Sequence, residues 1–195
     1  MVGIGPVFAL RRPSASDIRA FLASQGDSTF SYPEVGATRG PAPTGYTVDR
    51  NRVQLGCGGK VFRKAVEALR AWQMFALGWV ELHVPGTAIA PNSTVAVLVE
   101  HFGFWSLNAA RVIYVIEEDR RYAFAYGTLQ DHAEMGEERF SVEWSPEDDA
   151  VWYDILAFSR PRQWQARIAR PISRRIQKRF ADDSKTAMTR AMGAR

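Results

Sequence analysis

The stretch Tyr126–Phe140, YGTLQDHAEMGEERF, predicts a β-hairpin, and the prediction of the fold depends on it. We expect one strand to end near Leu129 and the next to begin near Glu137. Side chains alternate across a strand, so one of the adjacent Glu137 and Glu138 points toward whatever the sheet covers. A carboxylate that faces a core is costly unless it is paired, hydrogen-bonded or protonated. The hairpin therefore holds either a solvent-edge carboxylate or the working group of a site.

Six β-rich runs occupy the middle and later part of the chain, and this hairpin joins two of them. Their links are short, polar or rich in Gly and Pro, and no helical segment separates them. This is typical of a meandering antiparallel sheet. The runs are WVELHV, STVAVLVEHF, LNAARVIYVIEE, RYAFAYGTL, EERFSVEW and VWYDILAFS. A further strand is predicted earlier, at YTVDRNRVQLG.

Helices are predicted at three places. Near the N-terminus, Ser14 and Asp17 have capping-box spacing, and Gly26 stands where that short helix would end. A second helix follows the glycines of GCGGKVFRKAVEALRAWQMF, with an apolar stripe at Phe62, Ala65, Val66, Leu69, Trp72 and Ala76. The last is a long C-terminal helix, with apolar residues every fourth position at Trp164, Ile168, Ile172, Ile176 and Phe180. Pro171 should kink or restart that helix.

The order of these elements predicts an α+β fold. A curved antiparallel sheet of about six to seven strands, wrapped around the long C-terminal helix, would bury both apolar surfaces at once. This order resembles the helix-grip architecture of the START and birch-pollen-allergen superfamily, which includes aromatic polyketide cyclases. That resemblance implies a ligand cavity between sheet and helix. A long loop, STFSYPEVGATRGPAPTGYTVDR, precedes the first predicted strand, and such loops are often functional.

Several short motifs resemble one particular family, the bacterial and plant family catalogued as domain of unknown function 1990. They are YPEVGATRG, LGCGGKVF, FAYGTLQDHAEMGEERFSV, AFSRP and QKRF. The resemblance runs from about Phe30 to Met192. We therefore expect one domain over 1–195, with an N-terminal helical extension at 1–29 and the family core at 30–192.

Composition excludes several classes of protein. The 195 residues are 46% hydrophobic and 24% charged, as in an ordinary soluble globular domain. Cys57 is the only cysteine, so the chain has no internal disulfide and no cysteine metal cage. No signal peptide and no membrane span is predicted, and a cytoplasmic location is the expectation. The segment 160–195 carries 11 basic and two acidic residues, which suits either a solvated helix face or an anionic partner.

Glu138 is the leading candidate for a functional group. Alternation places it in one column with Phe140, Val142 and Trp144, whereas Glu137, Arg139, Ser141 and Glu143 are interpreted as the wet face. An inward Glu138 without a partner would be a neutral acid near pH 7, and with a basic partner it would stay ionised. The alternative is that Glu138 only ties down the hairpin loop. His132, in that loop, is the candidate second acid or base, or else binds backbone.

Six further residues are candidates for ligand binding. Tyr126 and Thr128 share a strand face, Tyr32 and Arg39 lie in the long loop, and Asn108 and Arg111 lie near a strand start. The Arg111 guanidinium is expected either to reach an internal carboxylate in a fork geometry or to lie on the surface. In the next strand, alternation does not decide between the two faces of VWYDILAFS.

Other chemistries lack a motif. Lys60 is followed by Val61 rather than Ser or Thr, so the glycines before it do not form a nucleotide P-loop. Ser159 has no nucleophile elbow, and Cys57 has no assigned base. A metal site at His132, Glu137 and Glu138 would lack a recognised spacing. No cofactor and no metal is predicted.

Three functions remain in order of preference. The first is binding of a hydrophobic small molecule between sheet and C-terminal helix, with Glu138 at its polar end. The second is a cyclase- or hydrolase-like enzyme that uses the internal carboxylate for acid–base chemistry. The third is an interaction module whose basic C-terminal segment binds nucleic acid or anionic lipid, and we rank it last. The identity of the ligand is not predicted, and a homodimer stays open.

Overall fold

The computed structural model describes residues 7–84, 86, 88–101, 103–132, 134–161 and 170–193. Its strands are β1 (Val7–Ala9), β2 (Thr47–Cys57), β3 (Val80–His83), β4 (Thr94–His101), β5 (Phe104–Glu118), β6 (Arg121–Thr128), β7 (Glu134–Trp144) and β8 (Ala150–Pro161). Its helices are α1 (Ala15–Ser24), α2 (Gly58–Arg70) and α3 (Arg170–Ala191), with 3-10 turns at Ala37–Arg39 and Gln73–Phe75.

The strands form one antiparallel sheet in the order β2-β8-β7-β6-β5-β4-β3, with β1 added to β5. The sheet is curled into a half-barrel, which gives the predicted α+β helix-grip fold. All six predicted β-rich runs and the earlier strand are present, and β1 is an addition. The hairpin is confirmed, although β6 ends at Thr128 and β7 begins at Glu134, three residues earlier than predicted.

The inner face of the sheet, which we define by Tyr126, Phe140, Tyr153 and Ile155, packs against α2 and α3. Residues of α3 join this core, among them Phe180, Ala181 and Met188. Tyr153 also exchanges a hydrogen bond with Ser184 of α3 at 2.8 Å between the hydroxyl oxygens. This apolar packing is the main reason why the helix stays on the sheet, since burial of apolar area is the dominant favourable contribution.

The outer face is the opposite side of the same sheet. Helix α1 covers one part of it, where Ile18 packs against Leu98 and Leu107. The predicted capping box of α1 is present, because Ser14 and Asp17 bond to each other's backbone N–H groups. Another part of the outer face, around Glu137 and Phe158, lies under residues 30–46, which we call the covering loop.

Two predicted helices differ in extent from the sequence pattern. α2 ends at Arg70, so Trp72 and Ala76 follow the helix instead of extending its stripe. α3 is described from Arg170, which places Pro171 in its first turn, where a missing N–H has no intrahelical partner to lose. Trp164 and Ile168, the first two residues of the predicted stripe, lie outside the described residues. Within the described ranges, no helix is long and apolar enough to cross a membrane.

Candidate functional site

Glu138 lies on the inner face, as alternation predicts, in a row of residues that crosses five strands. In this row Asp49 pairs with Ala157, Ala157 with Glu138, Glu138 with Tyr126, and Tyr126 with Val112. Because paired residues of antiparallel strands project from the same face, the two carboxylates of the row flank one small side chain. The row therefore brings Asp49, which was not among the predicted site residues, to the same surface as Glu138.

The carboxylate of Glu138 has one hydrogen-bond donor among the described residues. The Tyr126 hydroxyl donates to Oε2 at 2.7 Å. Burial raises the pKa of Glu138 to about 7, the negative charge of Asp49 acts in the same direction, and the Tyr126 hydrogen bond opposes them. Burial, and then the nearby Glu138 charge, also raise the pKa of Tyr126, so its hydroxyl stays protonated. The raised pKa favours the neutral acid over the ionised form that a basic partner would give, although the Tyr126 hydroxyl is a hydrogen-bond partner of the group.

Aromatic rings surround this pair on the inner face. Phe75 lies 6.3 Å from Tyr126, 5.8 Å from Phe140 and 5.3 Å from Phe180 between ring centroids. Phe140 in turn lies 5.5 Å from Tyr126. These rings come from β6, β7, α3 and the turn Gln73–Phe75, so the carboxylate borders an apolar layer between sheet and helix.

Polar contacts to α3 lie on the Asp49 side of the row. Arg174 binds both carboxylate oxygens of Asp49, with 2.6 Å from Nη2 to Oδ1, and this planar pairing suits guanidinium. Gln177 donates to the Ser159 hydroxyl at 3.3 Å. Part of the basic C-terminal segment therefore packs against the acidic body of the chain.

Glu137, the other member of the pair, is buried under the covering loop, whereas Glu138 is half-buried. Its carboxylate accepts hydrogen bonds from Tyr32 Oη at 2.8 Å, Gly36 N at 2.7 Å and Thr38 N at 2.9 Å, and from the Thr38 hydroxyl. Gly127 makes room for this arrangement, because a Cβ there would lie 2.2 Å from the Tyr32 hydroxyl. The carboxylate fixes the loop and has little acceptor capacity left.

The interpretation of the Glu137 face as wet is wrong. Glu137 is 3% exposed, Arg139 is 8% exposed and Ser141 is fully buried. Arg139 donates to the Thr38 carbonyl at 2.8 Å and faces Asp154 across 3.6 Å. Polar residues of this face bind one another and the covering loop instead of facing open solvent. Alternation separates the two faces, but it does not show what covers each one.

Three predicted ligand-binding residues lie on the outer face, away from Glu138. Tyr32 binds Glu137, and the Arg39 guanidinium lies 4.2 Å from the centre of the Tyr114 ring. Arg111 donates to the carbonyls of Gln25, Gly26 and Ser28, at 2.7, 3.0 and 2.8 Å, and not to a carboxylate. The reason is that Arg111 meets the end of α1, where helix carbonyls lack partners within the helix.

Thr128 and His132 belong to the hairpin connection. Thr128 Oγ1 accepts from Gly136 N at 2.9 Å and lies 2.6 Å from the Ser31 hydroxyl. The Nδ1 atom of His132 accepts from Glu134 N at 3.0 Å. Burial lowers the pKa of His132 to about 4, so the ring is neutral near pH 7. This arrangement matches the alternative in which His132 binds backbone.

Asn108 lies on the inner face of β5, and β6 separates this strand from β7, which carries Glu138. Its amide donates to the Ser106 hydroxyl at 3.1 Å, and that hydroxyl is 2.7 Å from His101 Nε2. In β8, for which alternation did not decide which side chains face the core, Tyr153 and Ile155 face inward. Among the described residues no group of three or more His, Cys, Asp or Glu side chains could hold a metal ion.

The signal that would have found Asp49 is pairing register. Asp49 lies 89 positions before Glu138 by residue number, and only the partnership of β2 with β8 and of β8 with β7 puts them in one row. Arg174 was likewise visible only as one of many basic residues in the C-terminal segment. Its role depends on where α3 crosses the sheet.

Known sequences match this chain over most of its length. The family model described as Domain of unknown function (DUF1990) matches residues 31–187. A "UPF0548 protein" of Dictyostelium discoideum is 35% identical and spans 96% of this chain and 97% of its own length. A "UPF0548 protein" of Deinococcus radiodurans is 38% identical and spans 96% of this chain and 100% of its own length.

Solved structures share the fold at low sequence identity. The Zhui aromatase/cyclase from Streptomyces sp. R1128 has a TM-score of 0.59 and 12% identity, covering 76% of this chain and 94% of that one. Norcoclaurine synthase from Thalictrum flavum, in complex with dopamine and hydroxybenzaldehyde, has a TM-score of 0.51 and 10% identity, covering 74% and 85%. Together with the matching family model, these findings show that the chain belongs to the family described as Domain of unknown function (DUF1990) and has a helix-grip fold.

Proposed function

We propose that the protein binds a hydrophobic small molecule between the inner face of the sheet and α3, with Glu138 at the polar end of that molecule. The observation that carries the proposal is the small number of hydrogen bonds to Glu138 on the apolar inner face, compared with the four that Glu137 accepts on the outer face. Glu138 receives one described hydrogen bond, from Tyr126, and the Tyr126 ring lies 6.3 Å from Phe75 and 5.5 Å from Phe140 between centroids. The Glu138 carboxyl group is half-buried and keeps unused acceptor capacity, which a donor on a ligand could take.

Tyr126 is the second residue of the proposed site. Its hydroxyl orients the Glu138 carboxyl group, because the bond uses Oε2 and leaves Oε1 for a ligand. Asp49 and Arg174 lie along the same row and would form the polar border on the α3 side. Asn108 also lies on the inner face and stays a candidate for ligand binding. Tyr32, Arg39 and Arg111 are left out because they bind on the outer face.

Proteins with the same fold support a small molecule as the partner. The norcoclaurine synthase structure contains dopamine and hydroxybenzaldehyde, and the other neighbour is an aromatase/cyclase. Both names indicate small organic molecules that are aromatic. The low identity means that neither ligand is transferred to this chain. What supports the proposal here is the chain's own combination of an apolar layer and one titratable carboxyl group.

The test is a binding screen with a matched control on the outer face. A library of neutral and basic hydrophobic molecules is screened by ligand-observed NMR against the wild type, Glu138→Gln and Tyr32→Phe. We expect saturable binders that lose about tenfold in affinity in Glu138→Gln and keep their affinity in Tyr32→Phe. If no molecule binds saturably, or if both variants weaken binding equally, the proposal is wrong.

A second candidate function is acid–base catalysis at the same residue. Its specific support is the pKa of Glu138, raised to about 7 by burial, because proton transfer is most efficient when the pKa of the catalytic group is near the working pH. His132 is left out of this role, since its Nδ1 accepts a backbone hydrogen bond and its pKa is lowered to about 4. Glu138 would act alone, with Tyr126 orienting it.

Catalysis is tested with the molecules found in the screen. Each binder is incubated with the protein in D2O and followed by mass spectrometry for deuterium at carbon or for a new product. A catalyst would give exchange that rises or falls around pH 7 and is lost in Glu138→Gln. Saturable binding with neither exchange nor product would leave ligand binding as the function and would contradict catalysis.

A further inference from the structure

A pocket of about 270 Å³ lies at a different part of the inner side, next to the turn that follows α2. Trp72 forms one wall, and the other walls come from the connection between β3 and β4 and from the start of β4. The described lining residues are Trp72, Val84, Gly86, Ala88, Ser93 and Val95. None of these six side chains is ionisable, and most are apolar. The pocket therefore differs in chemistry from the row that contains Glu138.

Trp72 holds an unusual backbone conformation at this wall. Its φ and ψ are 57° and 27°, in the left-handed region, directly after the C-cap residue Ala71. Glycine normally takes such a position after a helix, because a side chain there costs on the order of 1 kcal/mol or more. Here the position is occupied by tryptophan, the largest of the standard side chains. Strained residues of this kind persist where surrounding structure holds them, often at ligand clamps.

Two rings hold the Trp72 side chain in place. Its indole is edge-on to Phe124, with 4.9 Å between ring centroids, and 5.9 Å from Phe75. Phe75 also lies 6.3 Å from Tyr126, so one aromatic ring separates this pocket from the Glu138 site. The Trp72 wall is therefore packed against aromatic rings, and it adjoins the proposed site without sharing the carboxyl group.

The indole N–H of Trp72 supplies an independent observation. Its Nε1 atom is buried and has no hydrogen-bond partner among the described residues. By contrast, the indole of Trp79 donates to Asp183 at 2.8 Å, and that of Trp144 donates to Asp149 at 2.7 Å. A buried donor without an acceptor is destabilising, and each such group in a native structure requires an explanation.

We propose that the pocket is a second binding site, for a neutral and mostly apolar molecule whose hydrogen-bond acceptor takes the indole N–H of Trp72. A cavity of roughly 150 Å³ lined by apolar side chains holds benzene, so this pocket has room for one ring with a short substituent. A carbonyl or ether oxygen on that substituent would satisfy the donor. A charged molecule would find no counter-charge among the six described wall residues.

The experiment compares two probes of the same shape, acetophenone and α-methylstyrene, in which CH2 replaces the carbonyl oxygen. Binding is followed by 1H–15N NMR of the indole N–H signals, and Trp72→Phe assigns the Trp72 signal by its loss. Acetophenone should shift that signal downfield with saturation. It should also bind about threefold to tenfold more tightly than α-methylstyrene, and Trp72→Phe should abolish the difference.

Two further variants keep the result decisive if Trp72→Phe folds poorly. Ala88→Phe fills the pocket from its exposed rim and should abolish binding of both probes, while the indole signals of tryptophans other than Trp72 stay in place in the free protein. Glu138→Gln should leave acetophenone binding unchanged, which separates this site from the proposed function. If acetophenone leaves the Trp72 signal unmoved, or if the two probes bind equally to the wild type, the proposal is overturned.

Discussion

Glu137 and Glu138 are neighbours on one strand, yet they differ in the number of hydrogen bonds that the surrounding residues donate to them. Glu137 accepts four hydrogen bonds from the covering loop, whereas Glu138 accepts one described hydrogen bond, from Tyr126. Glu137 is 3% exposed and Glu138 is half-buried, so neither is a fully exposed surface carboxylate. The distinction lies in how fully the surrounding donors satisfy each carboxylate.

The largest expected effect is a loss of stability when the Glu137 carboxylate is removed. Glu137→Ala leaves the N–H groups of Gly36 and Thr38 and the Tyr32 hydroxyl without their acceptor. We expect the free energy of unfolding to fall by about 3–5 kcal/mol, measured by urea denaturation. Glu143→Ala, on the same strand face but in partly exposed ion pairs with Arg52 and Arg121, should cost under about 1 kcal/mol. Equal losses in the two variants would contradict the structural role of Glu137.

The second effect is a change in the pH dependence of stability at Glu138. Its pKa is about 7 in the folded protein against an ordinary 4.5, so between these values the folded state binds more protons than the unfolded state. Stability from this group is therefore present at low pH and is lost as pH rises from about 4.5 through about 7. Glu138→Gln removes that loss, and the variant should exceed the wild type by roughly 1–3 kcal/mol at pH 8.

The measurement is the difference between wild type and Glu138→Gln in urea denaturation at several pH values. His132 titrates over an overlapping range with the opposite sign, since burial lowers its pKa from 6.5 to about 4. Its contribution is lost as pH falls through that range and cancels in the difference between the two proteins. A difference that does not change between pH 5 and pH 8 would show that Glu138 is not held as a neutral acid.

The smallest effects separate the two tyrosines that bind the two carboxylates. Tyr32→Phe removes one of four donors to Glu137 and should cost about 1 kcal/mol of stability. Tyr126→Phe removes the hydrogen bond that favours the ionised form of Glu138, so the Glu138 pKa should rise further above 7. The 13C shift of the Glu138 carboxyl group against pH gives that pKa. A fall in the pKa would contradict the described bond.

The strands and helices could be predicted from the sequence because the alternation of apolar residues and the turn and capping signals are local. The alternation of EERFSVEW put Glu138 inward, and the capping pattern at Ser14 located α1. The covering loop was recognised only as a long loop, and its position over Glu137 was missed. Its contacts join residues about 100 positions apart, such as Tyr32 and Glu137, and no local pattern encodes such a pairing.

The same limit applies to the candidate site. Tyr126 and Glu138 were predicted together because a hairpin brings them into register. Asp49 and Arg174 were missed because their placement depends on strand order and on the path of α3. For Arg111 and Arg39 the sequence did not show the sheet face, because residue type does not reveal the face when both faces are covered.

Native mass spectrometry of the protein purified from its own host tests the central claim most directly. The wild type is compared with Glu138→Gln and with Tyr32→Phe, a change to the outer face. We expect a small molecule that co-purifies with the wild type and with Tyr32→Phe and is lost from Glu138→Gln. A molecule retained by Glu138→Gln, or lost equally from both variants, would contradict the assignment of the functional carboxylate to Glu138.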